Sequence, residues 1–252
     1  MDAVAAEDTR VATRLLAHYG IAKRLIAVHE HNERRAVTQV LALLGSGRSL
    51  ALTCDAGTPG ISDPGAVVVA AVRAAGYPVT PVPGPNAAIA ALSVSGITAP
   101  HFLFYGFLPA KAAARRRALA ALARLPFTLV FHEAPHRVEE CVVDLCAVLG
   151  GNRHLVLARE LTKLFESVHS CTLADAQAWL ASDSKRRKGE FVLIVEGAGA
   201  ENEDDDGRAR RALKILLDEL PLKQAVSLAA RIAGGRKNEL YQLALELKRR
   251  DK

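Results

Sequence analysis

The chain has 252 residues, half of them apolar, and a formal net charge of +6. That length buries roughly three quarters of the unfolded surface, as one large domain or two small ones. No apolar run reaches the roughly eighteen residues of a membrane helix. The charged start MDAVAAEDTR does not fit a signal peptide, and Cys54, Cys141, Cys146 and Cys171 match neither a CxxC metal knuckle nor a secreted disulfide framework. The expectation is a reduced, cytoplasmic protein.

Apolar runs and helical periods alternate from the first residues. DAVAAED reads as a strand and TRVATRLLAHYG as a helix closed by Gly20. LIAVHEH reads as a strand and NERRAVTQVLALLGSG as a helix capped by Asn32. SLALTCDAG is a strand, SDPGAVVVAAVRAAG a helix with Ser62 as N-cap, PVTPVPG a short strand and NAAIAALSVSG a helix. This alternation implies a mainly parallel sheet covered by helices. After a break near GITAPH, strands are expected at FLFYGFL, FTLVFHEA, HLVLARE and EFVLIVEG, and helices at AAARRRALAALARL and RVEECVVDLCAVLG. This second α/β unit is expected to contain antiparallel pairs. ENEDDDG, residues 201–207, reads as an acidic linker. Two or three helices follow, one opened by Pro221.

The fold class expected is therefore α/β with two α/β domains, residues 1–98 and 99–200, then the linker at 201–207 and a basic helical region at 208–252. Residues 207–252 hold 12 Lys and Arg against 5 Asp and Glu. Their balance of +7 exceeds that of the whole chain. A polyanion contact and ordinary solvated helix faces both explain such a surplus.

The stretch CDAGTPGISDPG, Cys54 to Gly65, is dense in glycine, proline, aspartate and hydroxyls. It follows a buried strand and precedes a helix, where parallel α/β sheets bind ligands. Glycine permits positive φ and close backbone approach, and amides at the next helix start favour an anionic group. The spacing is neither GxGxxG nor a phosphate-binding P-loop, so it leaves the ligand open, and a plain connecting turn is the simpler alternative. PVPGPNAA, residues 81–88, has the same placement and could form a second wall of one pocket.

Seven motifs occur in order: AEDTR (6–10), HEHNE (29–33), DAGTPGISDPG (55–65), PGPNAA (83–88), GFLP (106–109), EAPHR (133–137) and RELTKLFE (159–166). Together they resemble the 16S rRNA cytidine 2′-O-methyltransferase family of the tetrapyrrole methylase superfamily. The resemblance implies two α/β domains with a cleft between them for S-adenosylmethionine, a homodimer, and methylation of a cytidine ribose in the decoding region of 16S rRNA. Cys54, Asn86 and Ala134 stand where the family usually has serine. Family members also open with a strand and a Gly-Asn-Leu loop upstream of AEDTR. The resemblance thus implies that this chain starts at the second strand and methylates weakly or not at all.

Residue by residue, the resemblance puts the cofactor against Asp55, Ala56, Gly57, Thr58, Pro59, Ser62, Asp63, Asn86, Ala87 and Glu133. Candidates for catalysis are Lys163, Glu166, Asp8 and Arg10; candidates for substrate binding are His29, His31, His136, Arg137 and Arg159. Lys163 and Glu166 share a face if their stretch is helical, as a proton-handling pair or as a surface ion pair. His29 and His31 share a face if they lie on a strand. They lack a third ligand, so no metal is expected. The basic stretches 110–124, 185–190 and 231–241 are candidate grips for RNA phosphates.

Overall fold

The computed structural model describes residues 1–199, 205–233 and 237–250. The chain divides into two compact units, one of residues 1–120 and 128–196, the other of 121–127 and 197–252.

The first unit contains two sheets. The smaller is wholly parallel: β1 (Ala3–Ala6) lies between β2 (Arg24–Ala27) and β3 (Leu50–Thr53). Parallel neighbours need crossover connections, and α1 (Thr9–His18) and α2 (Glu33–Gly45) supply them; α3 (Ala66–Ala74) follows β3. The core beneath them comprises Ala3, Ala5, Ile26, Val28, Val40, Leu43, Val68 and Val72. Helix α4 (Ala87–Val94) precedes the second sheet. That sheet is mixed, in the order β4 (Phe102–Phe107), β5 (Thr128–Glu133), β8 (Phe191–Val195), β6 (His154–Arg159) and β7 (Ser167–Thr172). Only β4 and β5 run parallel; the other neighbours are antiparallel, as the sequence suggested. Ala88 and Ala91 of α4 pack on Val130, Val156, Ala158, Val192 and Ile194, one face of that sheet.

Several expectations need correction. PVTPVPG forms no strand. Pro78, Pro81 and Pro83 cannot donate to a ladder, although Val79 still packs on the first core. Asn32 holds the N-cap position of α2, but its side chain does not cap: Oδ1 accepts from His29 N at 2.8 Å and the amide donates to Ala27 O at 3.1 Å, closing the preceding loop. His29 and His31 therefore lie in that loop beyond β2, not on a strand. The N-cap of α3 is Gly65, not Ser62. A carboxylate from α2 does the capping, since Glu33 Oε1 accepts from Gly65 N at 2.6 Å. The sequence reading also missed β7 and α7 (Leu173–Ala181). Strand β7, SVHSCT, is a polar edge strand with no apolar run to betray it.

Helices α5 (Ala112–Leu122) and α6 (Val138–Leu149) meet through a buried ion pair. Arg115, 1% exposed, donates its Nε to Asp144 Oδ2 at 2.6 Å, and Arg116 donates to the other oxygen at 2.6 Å. Arg115 is thus a structural cation and not a phosphate grip. Burial pushes the Asp144 carboxyl up, but the Arg116 and Arg115 hydrogen bonds outweigh it and hold it below the usual range.

The second unit is helical: α8 (Asp205–Glu219), α9 (Leu222–Ala233) and α10 (Lys237–Arg250) enclose Leu213, Ala225, Val226, Ala229, Leu240 and Ala244. Pro221 opens α9, its carbonyl accepting from Gln224 and Ala225. Of the expected acidic linker, residues 205–207 begin α8, and 201–204 lie outside the described residues. Among the described residues, no helix is long and apolar enough to cross a membrane.

Candidate functional site

The loop of residues 54–65 leaves β3 with Gly57, Gly60 and Gly65 all at positive φ (74°, 80° and 133°), joined by Ser62 at 63°. Side chains rarely adopt such backbone, which explains the glycine density. Thr58 Oγ1 donates to Pro85 O at 2.9 Å and stitches this loop to the Pro-Gly loop before α4. Asn86 then caps α4, accepting from Ile89 N at 3.2 Å.

These two loops form one side of a cavity of about 460 Å³, within the range of small-molecule sites. The loop side contributes Ala56, Gly57, Thr58, Ile61, Ser62, Asp63, Asn86 and Ala87. The other side comes from the second sheet and its loops: Phe107, His132, Glu133, Ala134, Pro135, His136, Ala158, Leu161, Glu190, Phe191 and Val192. Of the residues singled out from the sequence, Asp55, Pro59, Arg137, Arg159, Lys163, Glu166, Asp8, Arg10, His29 and His31 do not line it.

Most of these have other partners. Asp8 caps α1, accepting from Arg10 N at 2.7 Å, and pairs with the Arg10 side chain at 2.6 Å. Those Arg10 contacts hold the Asp8 carboxyl down to about 2. Asp55 Oδ1 accepts from Asp8 N at 3.3 Å, and Asp55 N donates to Glu7 Oε2 at 3.2 Å, tying the β1 and β3 ends together. Arg137 pairs with the buried Glu133 at 2.7 Å and donates to Leu108 O at 3.0 Å. Arg159 donates to Ser167 Oγ and to the carbonyls of Phe165, Lys185 and Lys188. Residues 160–166 are a turn, not a helix, so Lys163 and Glu166 do not act as a helical pair. Lys163 Nζ instead donates to Glu190 Oε2 and Glu160 Oε1, both at 2.9 Å. Those hydrogen bonds, Glu190 first, raise its pKa and favour the cation over a base.

The sequence reading missed His132 and Glu190. His132 continues the face of β5 that carries Val130, two residues on, so strand periodicity points it to the cavity side. It sits edge-on to Phe104 and Phe107, at 5.0 and 5.5 Å. Burial lowers its pKa, which keeps the imidazole neutral, and its Nε2 is buried without a partner among the described residues. Asp63 is shifted the other way, upward, by burial and then by the charge of Glu7. The result is an apolar cavity with a few fixed polar groups and carboxyls from Asp63 and Glu190, suited to an organic ligand carrying polar and cationic parts.

Comparison with known proteins bears on the family and the fold. Residues 1–177 match the family of Tetrapyrrole (Corrin/Porphyrin) Methylases, and residues 203–248 match the RsmI C-terminal HTH domain. The chain is 50% identical over 246 residues to ribosomal RNA small subunit methyltransferase I of Escherichia coli O157:H7, covering 98% of this chain and 86% of that one. It is 52% identical over 245 residues to the protein of the same name from Pseudomonas aeruginosa, covering 96% and 87%. Among solved structures, the methyltransferase CobJ superposes with a TM-score of 0.55 at 19% identity, covering 78% of this chain and 93% of that one. Uroporphyrin-III C-methyl transferase from Thermus thermophilus, complexed with S-adenyl homocysteine, superposes with a TM-score of 0.52 at 16% identity, covering 77% and 84%. At such identity these structures speak for the fold, and it is the expected two-sheet α/β fold. The chain belongs to the ribosomal RNA small subunit methyltransferase I family, within the tetrapyrrole methylases.

Proposed function

We propose that the chain transfers the methyl group of S-adenosylmethionine to the ribose 2′-hydroxyl of cytidine 1402 in the decoding region of 16S rRNA. The observation that carries this reading is the cavity itself, formed by the family's glycine loop in a chain half identical to enzymes named for small-subunit rRNA methylation. The lining fits the cofactor in volume and chemistry: Gly57 has only Pro85 O, at 4.0 Å, near its would-be Cβ, and carboxyls stand on both sides.

In this reading Ala56, Gly57, Thr58, Ser62, Asp63, Asn86, Ala87 and Glu133 hold the cofactor, and Asp55 and Pro59 shape the loop that does so. When bound, S-adenosylmethionine supplies a methyl carbon already activated by its sulfonium. The chain's task is then alignment, which supplies on the order of 7–11 kcal/mol. Asp63 and Glu190 bring negative charge to a cationic ligand. Lys163 does not line the cavity and acts through Glu190, whose carboxylate it holds, and His136 lies at the substrate side. Residues 1–98 and 99–200 act as the two lobes of the site. The basic region 208–252 grips rRNA phosphates, and the enzyme works as a homodimer in the cytoplasm.

The test is transfer of radiolabelled methyl from S-adenosylmethionine to purified 30S subunits, with the modified nucleotide mapped by mass spectrometry. Label on the ribose of that cytidine is expected. Label only on a tetrapyrrole acceptor would replace the reading with a small-molecule methylase. Calorimetry showing no cofactor binding would replace it with a binding-only homologue. Deleting residues 208–252 should leave cofactor affinity intact and flatten the salt dependence of RNA binding.

A further inference from the structure

The loop between β6 and β7 presents two large apolar side chains to water: Leu164 is 89% exposed and Phe165 67%. Most exposed apolar residues need no explanation, but this loop is held in its shape at a cost. Glu160 and Thr162 have φ of 51° and 66°, left-handed backbone that disfavours any side chain and a β-branched one most. Five side chains maintain it. Glu166 Oε2 accepts from Thr162 N at 2.6 Å, Lys163 bridges Glu160 and Glu190, and Arg159 donates to Phe165 O at 2.9 Å. Strain persists where the surroundings over-determine it, commonly at working surfaces.

Arg159 also binds the carbonyls of Lys185 and Lys188, at 3.3 and 3.0 Å, so one guanidinium joins the apolar loop to the basic segment Ser184–Lys188. Within that segment Arg186 lies over the Trp179 ring at 4.8 Å and Arg187 pairs with Glu139 at 3.2 Å. Lys185 and Lys188 are exposed and form no ion pair among the described residues. The same loop reaches the cavity: Leu161 lines it, and so does Glu190, the partner of Lys163.

We infer that Leu164 and Phe165, with Lys185 and Lys188, form a docking face for an unpaired RNA strand, Phe165 stacking on a base while the two lysines meet backbone phosphates. The inference rests on the proposed rRNA substrate and says where its strand is held before a nucleotide enters the cavity. An aromatic platform beside unpaired cations is what single-stranded nucleic acid requires. A duplex, its bases already stacked, gains little from Phe165.

The test measures the full chain's binding to a short fluorescent single-stranded RNA, and to its duplex, by anisotropy across a salt series. Phe165→Ala should weaken single-strand binding on the order of ten-fold and leave the salt slope unchanged. Phe165→Trp should keep the affinity. Lys185→Ala with Lys188→Ala should lower the log–log salt slope by roughly 1.4. Wild-type affinity in Phe165→Ala would overturn the proposal. So would loss of self-association by that variant in sedimentation velocity, which would make the loop a contact with a second copy. The parent reading fails separately: absent methyl transfer with Phe165-dependent RNA binding would refute the catalytic assignment and leave this face standing.

Discussion

The loop of residues 54–65 and the loop of residues 160–166 both leave strand ends, both contribute to one cavity and both use left-handed backbone. They reach that backbone by opposite means. The first relies mainly on glycine, which accepts positive φ without strain but gives up more chain entropy on folding. The second uses Glu160 and Thr162, which are strained there, and balances the strain with ion pairs and hydrogen bonds. A shape made by residue type is written in composition. A shape made by partners distant in sequence, such as Glu190 for Lys163, is not.

Substitution should separate the two most sharply at Gly65. Its φ of 133° is nearly exclusive to glycine, and a Cβ there would lie 3.0 Å from Leu52 Cδ2. Gly65→Ala should cost about 3 kcal/mol in urea unfolding; a cost below about 0.5 kcal/mol would mean that glycine is not what shapes this loop. In the other loop, Glu166→Ala removes the acceptor for Thr162 N and should loosen residues 160–166 by about 1 kcal/mol. Faster amide exchange confined to that loop is the expected signature, and unchanged exchange would show that Arg159 and Lys163 suffice. Thr162→Gly should do the reverse of Gly65→Ala and stabilise by about 0.5 kcal/mol, because relieved strain slightly exceeds the added chain entropy. A fall in melting temperature would contradict the strain.

Acid should also move the two loops in opposite directions. Burial, then Glu7, raises the Asp63 pKa from its ordinary 3.8, so the folded loop holds that proton more tightly than the unfolded chain. The 54–65 loop therefore firms as pH falls from neutral through the raised value. Glu160 is lowered from 4.5, first by the Glu190 backbone amide and then by Lys163. Its contribution is present above 4.5 and is lost as pH falls below that through the folded value. Amide exchange at pH 7 and near pH 4, corrected for intrinsic rates, reads both loops in one experiment. Parallel changes in the two would remove the electrostatic half of the contrast.

The same division runs through the rest of the molecule. The alternation of apolar runs located nearly every strand and helix, because burying a sheet between helices demands it. Gly and Pro marked the two loops that Thr58 stitches together. Strand β7 escaped notice because an edge strand needs few apolar residues, and α7 followed it unseen. Asn32 looked like a cap by type, yet competing donors at His29 and acceptors at Ala27 claimed its amide. Lys163 and Glu166 had helical spacing in a segment that is a turn. Arg115 resembled its neighbours in a basic run until Asp144 of another helix claimed it.

One residue outside the cavity has a say in its width. Gly106 lies at the bulge of β4 with φ 79°, and a Cβ there would come within 2.9 Å of Ser62 Oγ. Ser62 lines the cavity; Gly106 does not. Both the positive φ and the space beside Ser62 therefore favour glycine at position 106. A design that reshaped the cavity through Ser62 would have to carry this glycine with it, although position 106 is not part of the lining.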